Sequence, residues 1–270
     1  MSCRPETEAI RDDQMAQLYD EIGVGYRNSR RPDPRIATVI RDALGQADTL
    51  VNVGAGAGSY EPSDRPTVAV EPSMTMIRQR RASGAPVVQA SATELPFRDA
   101  TFAAALAILT VHHWPDRARG LAELARVAQG RVVVVTWDPA TSGFWLVDDY
   151  FPEIVEIDRR MFPSIEEFRQ ALGPIEVATL SIPHDCVDGF LGAYWRRPHA
   201  YLDAGVRGAI STFSKIRALE PGLARLRHDL EDGTWERRYE SLLSRSEIDI
   251  GYRLFISNIL RAGQLQVQRP

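Results

Sequence analysis

Three glycines follow a short strand-like run, and an acidic residue follows the next one. Gly54, Gly56 and Gly58 come directly after residues 49–53, and Glu71 ends the second run. A backbone without Cβ atoms can turn tightly and approach a ligand, while the next helix presents its free N-terminal amides. A carboxylate after the second strand can accept hydrogen bonds from both ribose hydroxyls. Together the two features predict a site for a nucleotide-type ligand.

The spacing of the glycines separates two classes of such ligands. A dinucleotide-binding loop has the pattern GxGxxG, which would place the third glycine at position 59. This chain has Ser59 there and Gly58 before it, so that its pattern is GxGxG. The spacing therefore disfavours a nicotinamide dinucleotide. For the loop alone, a tight strand-to-helix turn without any ligand stays the alternative.

Further motifs follow in order along the chain. A Ser-Ala pair at 91–92 precedes Leu-Pro-Phe at 95–97, Phe-Ala at 102–103 opens an apolar run, and His-His-Trp follows at 112–114. With the glycine loop and the acid, this ordered set resembles the class I methyltransferases of the ubiquinone and menaquinone biosynthesis type, over roughly residues 15–140. The resemblance implies a Rossmann-like domain with S-adenosylmethionine as the methyl donor.

The chain departs from that family at two positions. In the family an Asp-Ala pair contacts the adenine, where this chain has Ser91 and Ala92. The family opens its fourth strand with Phe-Asp, where this chain has Phe102 and Ala103. Both departures remove a carboxylate. The Ser91 hydroxyl can still form a hydrogen bond with the adenine.

Two neighbouring histidines, His112 and His113, raise the question of a general base. By the resemblance, this stretch lies just after the fourth strand and orders the following loop. A catalytic histidine would have to reach the acceptor within hydrogen-bond distance. The sequence therefore assigns no catalytic residue, and a histidine base stays the alternative.

The segment before residue 35 adds aromatic and basic side chains. Residues 6–28 have helical spacing of apolar residues and resemble the N-terminal lid that many family members fold over the cofactor. Tyr26 is predicted to contact the sulfonium through its ring face, and Arg31 to pair with the methionine carboxylate. The alternative is that Tyr19 and Tyr26 only pack the lid helix. The predicted cofactor-binding residues are Tyr26, Arg31, Gly54, Ala55, Gly56, Gly58, Glu71, Pro72, Ser91, Ala92 and Ala107.

The elements that must position these residues alternate along the chain. Strands are predicted at 49–53, 67–70, 87–89, 102–106, 131–136 and 175–182. Helices are predicted at 35–44, 73–82, 116–129 and 164–172, the last with Ser164 and Glu167 as a capping box. Alternation of this kind predicts an α/β fold, a Rossmann-like, doubly wound, mostly parallel seven-stranded sheet with an N-terminal helical lid and a C-terminal helical cap or insertion.

Four segments follow from this pattern: a lid at 1–34, the cofactor-binding domain at 35–183, a helical cap at 184–247 and a C-terminal segment at 248–270. Within the cap, helical patterns run over 190–202, 204–219, 223–230 and 235–243. Whether residues 248–256 return to the sheet as a strand or form a helix is open, because their periodicity fits both.

Two groups of residues are candidates for the acceptor site. The cap residues 194–197, Tyr-Trp-Arg-Arg, either line an acceptor pocket or pack the cap onto the sheet. Trp137 and Asp138 end the fifth strand and are expected at the same crevice, because ligands bind beyond the carboxyl ends of parallel strands.

Composition limits the class of protein. The net charge is −4, which argues against a general nucleic-acid binder, and the two cysteines offer neither a metal spacing nor a disulfide framework. The longest apolar runs are too short to span a bilayer, and the first residues are too polar for a secretory signal. We therefore expect a cytoplasmic protein, either a monomer or a homodimer.

The predicted function is S-adenosylmethionine-dependent methylation of a small molecule by in-line methyl transfer, without a metal. Two cysteines disfavour arsenite as the acceptor, since similar domains methylate it with several thiolates. A non-catalytic protein that binds S-adenosylmethionine is one alternative, favoured by the lost carboxylates at Ser91 and Ala103. A nicotinamide-dependent oxidoreductase is another. The acceptor itself is not predicted.

Overall fold

The computed structural model describes residues 30–259. The strands are β1 (Leu50–Val53), β2 (Thr67–Val70), β3 (Val87–Val88), β4 (Phe102–Ile108), β5 (Ala128–Trp137), β6 (Ile175–Thr179), β7 (Ile182–Pro183), β8 (Glu247–Ile248) and β9 (Tyr252–Asn258). The α-helices are α1 (Pro34–Leu44), α2 (Met74–Arg78), α3 (Arg117–Val127), α4 (Glu153–Met161), α5 (Ile165–Leu172), α6 (Ala204–Gly208), α7 (Leu219–Glu231), α8 (Thr234–Arg238) and α9 (Glu240–Leu243). Shorter helical turns lie at Val111–His113, Leu146–Tyr150, Leu191–Tyr194, Pro198–Leu202 and Ser211–Lys215.

Seven strands form one sheet in the order β3-β2-β1-β4-β5-β9-β6. Strands β1 to β5 are mutually parallel, and β9 runs antiparallel to both β5 and β6. The prediction of a doubly wound, mostly parallel seven-stranded sheet is confirmed. Because the strand order reverses between β1 and β4, a crevice opens beyond their carboxyl ends.

Alternate residues of the central strands face two separate apolar layers. Leu106 of β4 packs with Ile36 and Ile40 of α1, whereas Ala107 packs on the other side with Leu121 of α3 and Phe168 of α5. Strands that bury both faces read as continuous apolar runs. The central strands are therefore fixed in position from both sides and present their ends as a rigid platform.

Local capping signals fix several helix ends. The Asp33 side chain accepts the backbone N–H of Arg35 at the start of α1, where Pro34 occupies the first turn. Ser164 and Glu167 form the predicted capping box of α5. Asp33 thereby sets the direction in which the chain enters the domain.

Residues 190–219 depart from the helical pattern predicted for the first part of the cap. The segments 190–202 and 204–219 contain only short helical turns, α6 and the start of α7. Glycine and proline interrupt the helical pattern there, and a cluster of large rings determines the packing instead. Trp145 donates its indole N–H to the carbonyl of Trp195, whose own indole N–H reaches the Ile182 carbonyl at 3.0 Å.

The segment with ambiguous periodicity, 248–256, contributes most of β9, which lies between β5 and β6. The predicted strand at 175–182 ends at Thr179, and β7 pairs with β8 in a separate two-stranded sheet. Helix α4 was not predicted. Within residues 30–259, no helix combines the length and apolar character needed to cross a membrane.

Candidate active site

The glycine loop folds back against the ends of two other strands. Gly54 and Gly56 adopt φ values of +69° and +53°, which side chains rarely tolerate. The amides of Gly54 and Ala55 both donate to the Val70 carbonyl of β2, at 2.9 and 3.0 Å. A Cβ atom on Gly54 would lie 2.8 Å from the Cβ of Thr110 and closer still to its hydroxyl. Glycine is required there because the end of β4 lies so near.

Glu71 joins this loop to the end of β2. Its carboxylate accepts the backbone N–H of Gly56 at 2.8 Å and that of Ser73 at 3.0 Å. The residue is only 5% exposed. Burial raises the pKa of Glu71, although the two amides and the positive charge of Arg80 partly oppose this. The acid is therefore held rigidly, with its oxygens at the edge of the crevice.

A buried ion pair stabilises the glycine loop. Arg80 and Glu61 are in contact at 2.6 Å, and Arg80 also donates to the Gly56 carbonyl at 3.1 Å. The side-chain nitrogen of Asn52 donates to Glu61 at 3.2 Å, whereas its buried Oδ1 atom has no hydrogen-bond partner among the described residues. Sequence reasoning missed this group. The polar Asn52 within the otherwise apolar β1 was the signal that could have found it.

The first cavity lies over this loop and contains about 960 Å³ of space, part of it open to solvent. It brings together seven predicted residues: Gly54, Ala55, Gly56, Glu71, Pro72, Ser91 and Ala92. Further lining residues include Arg30, Asn52, Tyr60, Met76, Leu109, Thr110, His113 and Trp114. The first cavity thus occupies the crevice where the strand order reverses.

Other predicted residues lie elsewhere. Ala107 is fully buried and faces α3, so that Ile108 and the residues after it line the cavity instead. Gly58 and Arg31 border a neighbouring depression, whereas Arg30 lines the first cavity itself. Tyr26, like Tyr19, falls outside the described residues.

Ser91 uses its hydroxyl locally. The Oγ atom lies 2.8 Å from the hydroxyl of Thr93 and accepts the Thr93 backbone N–H at 3.2 Å. Ala92 beside it is almost fully buried. The serine therefore stabilises the turn that forms this wall of the first cavity.

A second cavity adjoins the first and shares Arg30, Leu109 and His113 with it. It contains about 640 Å³, again including open solvent. Its walls are largely aromatic and come from the end of β5, α4, the cap and β9. They include Trp137, Phe162, Phe190, Leu191, Ile210 and Tyr252, together with His112 and Asp158.

The structure separates the acceptor-site candidates. Trp137 lines the second cavity, whereas Asp138 is not among its lining residues. Trp195 is fully buried in the core of the cap, and Arg197 donates to backbone carbonyls of the cap. The stretch 194–197 therefore packs the cap, and the preceding Phe190 and Leu191 reach the cavity.

His113 is buried and His112 is half-buried, and both are uncharged. Burial lowers the pKa of His113 to about 3 and holds that of His112 well below its ordinary 6.5. The ring of His112 stacks on Phe162, with centroids 4.1 Å apart. Neutral imidazoles in van der Waals contact with aromatic rings form a wall, which agrees with the structural role implied by the family resemblance.

Asp158 is the acidic residue of the second cavity. It is 1% exposed, and among residues 30–259 neither of its buried carboxylate oxygens has a hydrogen-bond partner. Burial raises the pKa of Asp158 to about 7, although the charge of Lys215 acts in the opposite direction. A buried acid without a partner is costly for a fold and marks a candidate functional group.

A polar cluster ties the entry of the chain to the cap. Arg30 donates to Asp188 at 2.7 Å, and Tyr60 donates its hydroxyl to the same carboxylate at 2.9 Å. Burial raises the pKa of Tyr60, so that its hydroxyl keeps its proton and acts as the donor. Arg30 is thereby fixed at the boundary of both cavities.

Comparison with known proteins identifies the family. The profile of a methyltransferase domain family matches residues 51–135. A protein from Anabaena variabilis, named as a methyltransferase of an antibiotic biosynthesis pathway, is 32% identical and superposes with a TM-score of 0.77, over 85% of this chain and 98% of that one. The chain belongs to the class I methyltransferases. The prediction of an S-adenosylmethionine-dependent methyltransferase is thereby confirmed.

Two more distant structures share the fold of this methyltransferase. A geranyl diphosphate C-methyltransferase from Streptomyces coelicolor, solved with S-adenosylhomocysteine, is 16% identical with a TM-score of 0.52, covering 96% of this chain and all of that one. An S-adenosylmethionine-dependent methyltransferase from Thermotoga maritima, named as a possible histamine N-methyltransferase, is also 16% identical, with a TM-score of 0.55 over 91% and 98% of the chains. The family assignment therefore gives no support to the alternative function, that of a nicotinamide-dependent oxidoreductase.

Proposed function

We propose that this methyltransferase methylates a small molecule bound in the second cavity, while S-adenosylmethionine occupies the first. The observation that carries the proposal is the shared wall of Arg30, Leu109 and His113, which places the two cavities side by side. Sites for small ligands are typically concave and lined mainly by apolar and aromatic side chains with a few polar groups, and the second cavity has this character.

The residues of the first cavity fit S-adenosylmethionine. Glu71 offers carboxylate oxygens to the ribose hydroxyls, and the unpartnered Oδ1 of Asn52 offers an acceptor to the methionine ammonium group. The turn at Ser91 and Ala92 forms the wall for the adenine. We also propose that Arg31 pairs with the methionine carboxylate and that the ring face of Tyr26 contacts the sulfonium.

When bound, S-adenosylmethionine supplies a methyl group on a sulfonium that an acceptor can displace in line. The task of the protein is to hold the acceptor atom about 3 Å from that methyl carbon. Leu109 and His113 border both cavities, so they align one ligand with the other. The rings of Trp137, Phe162 and Phe190 exclude water from the acceptor.

Calorimetry with S-adenosylmethionine and S-adenosylhomocysteine tests the first half of the proposal, and a homocysteine-coupled assay over a panel of acceptors tests the second. Phe190→Ala should raise the acceptor KM about tenfold through lost apolar contact, with the S-adenosylhomocysteine Kd unchanged. Val187→Ala, at an exposed cap position, is the matched control.

Three results decide between the alternatives. Failure of both cofactors to bind at millimolar concentration would refute the proposal. Binding without turnover on any acceptor would support the non-catalytic alternative instead. An equal loss of cofactor affinity in Phe190→Ala would contradict the division into two cavities.

A further inference from the structure

In the part of the chain that the structure describes, no hydrogen-bond partner accounts for the burial of Asp158. The residue lies on α4, one turn after the fully buried Ile154, and therefore on the apolar face of that helix. An acid at such a position is normally paired or hydrogen-bonded. Both oxygens of Asp158 lack a partner within the described residues, and the side chain lines the second cavity. A ligand in that cavity can supply the missing hydrogen bond.

The charged and titratable groups around Asp158 come from several elements. Lys215, the single lysine in the sequence, lies on the helical turn Ser211–Lys215. Its amine contacts the sulfur of Met161 at 2.8 Å, and its charge acts on Asp158. The turn after β4 contributes the neutral His112 and His113, β9 contributes Tyr252, and Arg30 stands at the boundary between the cavities.

We propose that Asp158 is the proton acceptor of the reaction and that the methyl acceptor is an aromatic hydroxyl compound, a phenol in the broad sense. The proposal rests on the function proposed above. The flat ring would lie among Trp137, Phe162, Phe190 and Tyr252, with its hydroxyl toward the unpartnered carboxylate.

The step balances without a further reactant. The phenolic O–H bond breaks and its proton moves to the Asp158 carboxylate. The oxygen forms a bond to the methyl carbon of S-adenosylmethionine, while the carbon–sulfur bond breaks and its electron pair stays on sulfur as the neutral thioether. Asp158 returns its proton to solvent after product release. A buried carboxyl whose pKa is near 7 suits this role, because a base works best near the operating pH.

The surrounding charges favour a hydroxyl over a cationic amine. Lys215 places positive potential at the second cavity, whereas the charge of Arg30 is balanced by its ion pair with Asp188. The sulfonium of the donor adds positive charge when it is bound. An ammonium acceptor would be repelled by these charges and would have to lose a proton before it could react. A hydroxyl enters uncharged, and the negative charge that develops on its oxygen is stabilised by the same groups.

The experiment compares the wild-type enzyme with Asp158→Asn on a series of phenols of increasing acidity, from phenol and 1-naphthol to 4-nitrophenol, at pH 8. The amide keeps the volume of the side chain but cannot take the proton. Glu156→Gln, an exposed acid on the same helix, is the matched control. Asp158→Ser serves as a second variant in case the amide fails to fold. Calorimetry with S-adenosylhomocysteine checks that the first cavity is intact.

We expect Asp158→Asn to reduce kcat/KM by about 10²- to 10⁴-fold on phenol, because a general base contributes about that much. The loss should shrink toward 4-nitrophenol, which ionises without help near neutral pH. The wild-type kcat/KM on phenol should fall below about pH 7, as the base becomes protonated, and this limb of the profile should vanish in the variant.

Four results would overturn the inference: a rate loss that is the same for every phenol, a wild-type pH profile without that limb, methylation of aniline or benzylamine but not of phenols, or no methylation of any phenol. In each of these cases, the proposed function would still stand if the enzyme bound S-adenosylhomocysteine and methylated another acceptor. Absence of cofactor binding in the wild type would refute the proposed function itself.

Discussion

Glu71→Gln tests the assignment of the cofactor site most directly. The substitution keeps the shape of the side chain and removes its charge. In the structure the two carboxylate oxygens already accept the amides of Gly56 and Ser73. Both oxygens therefore have a fixed direction, and each has a lone pair left for a ribose hydroxyl.

The size of the effect follows from the bonds that are lost. Two hydrogen bonds to a carboxylate are worth about 3–6 kcal/mol together, and one neutral bond to the remaining amide oxygen restores about 0.5–1.5 kcal/mol. The net loss of about 2.5–4.5 kcal/mol corresponds to a Kd for S-adenosylhomocysteine that is roughly 70- to 2,000-fold weaker. The amide NH₂ also faces an amide donor of Gly56 or Ser73, which reinforces the loss.

Isothermal titration calorimetry gives the Kd, with Glu94→Gln, an exposed acid nearby, as the control. Burial raises the pKa of Glu71, so the wild-type affinity should start to weaken at a higher pH than an ordinary glutamate would give, as the acid becomes protonated. The affinity of Glu71→Gln should be independent of pH over that range. A Kd for the folded variant within about threefold of the wild-type value would refute the ribose assignment.

Three further predictions concern the framework of the site. Gly54→Ala should destabilise the protein by about 2–5 kcal/mol, through overpacking against Thr110 and the left-handed φ, and abolish S-adenosylhomocysteine binding; an unchanged melting temperature would contradict this. Arg80→Met should lower the free energy of unfolding in urea by about 3–5 kcal/mol, because Glu61 stays buried without its arginine partner. Adding Glu61→Leu should restore much of the lost stability. A loss below about 1 kcal/mol in Arg80→Met would argue against a role of this ion pair in stabilising the glycine loop. The side-chain hydrogen bonds from Arg35 lower the pKa of Asp33 from 3.8 to about 2. This carboxylate therefore contributes at most about 2.5 kcal/mol to the free energy of unfolding above pH 4, less the solvent screening of the half-exposed Arg35, and the contribution is lost as the pH falls toward 2. Asp33→Asn should flatten that part of the stability profile in acid denaturation.

The sequence predicted the features that depend on neighbours along the chain. The glycine pattern and Glu71 were predictable because a parallel sheet brings the carboxyl ends of β1 and β2 to one edge. The capping box at Ser164 and Glu167 was predictable because it needs only four consecutive residues. Such short-range patterns identified the fold and much of the first cavity.

Features that depend on distant residues were not predictable. Glu61 accepts from both Arg80 and Asn52, and these three residues lie in parts of the chain that no local pattern relates. Arg30 and Arg31 are adjacent and chemically identical, so only the folded chain shows that Arg30 lines the first cavity. Asp158 lies on a helix with no motif around it. Its position on the apolar face one turn after Ile154 was the only local signal.

Helices over 190–202 and 204–219 were predicted wrongly because helical spacing was counted across glycines and prolines. Gly192 shows why tertiary packing decides there. A Cβ atom at this position would lie 2.5 Å from a methyl group of Ile250 and 2.7 Å from the ring of Tyr252. The close packing of the cap against the turn before β9 and the first residue of β9 therefore overrides the local propensity.

The position of β9 also affects the order in which this enzyme can fold during synthesis. Within the described chain, β6 pairs only with β9, and the ribosome must make residues 180–251 before that partner emerges. Until then β5 and β6 both present unpaired strand edges, which are prone to aggregation. A nascent chain stalled before residue 252 should therefore depend on chaperones, although its cofactor loop and Glu71 are already complete.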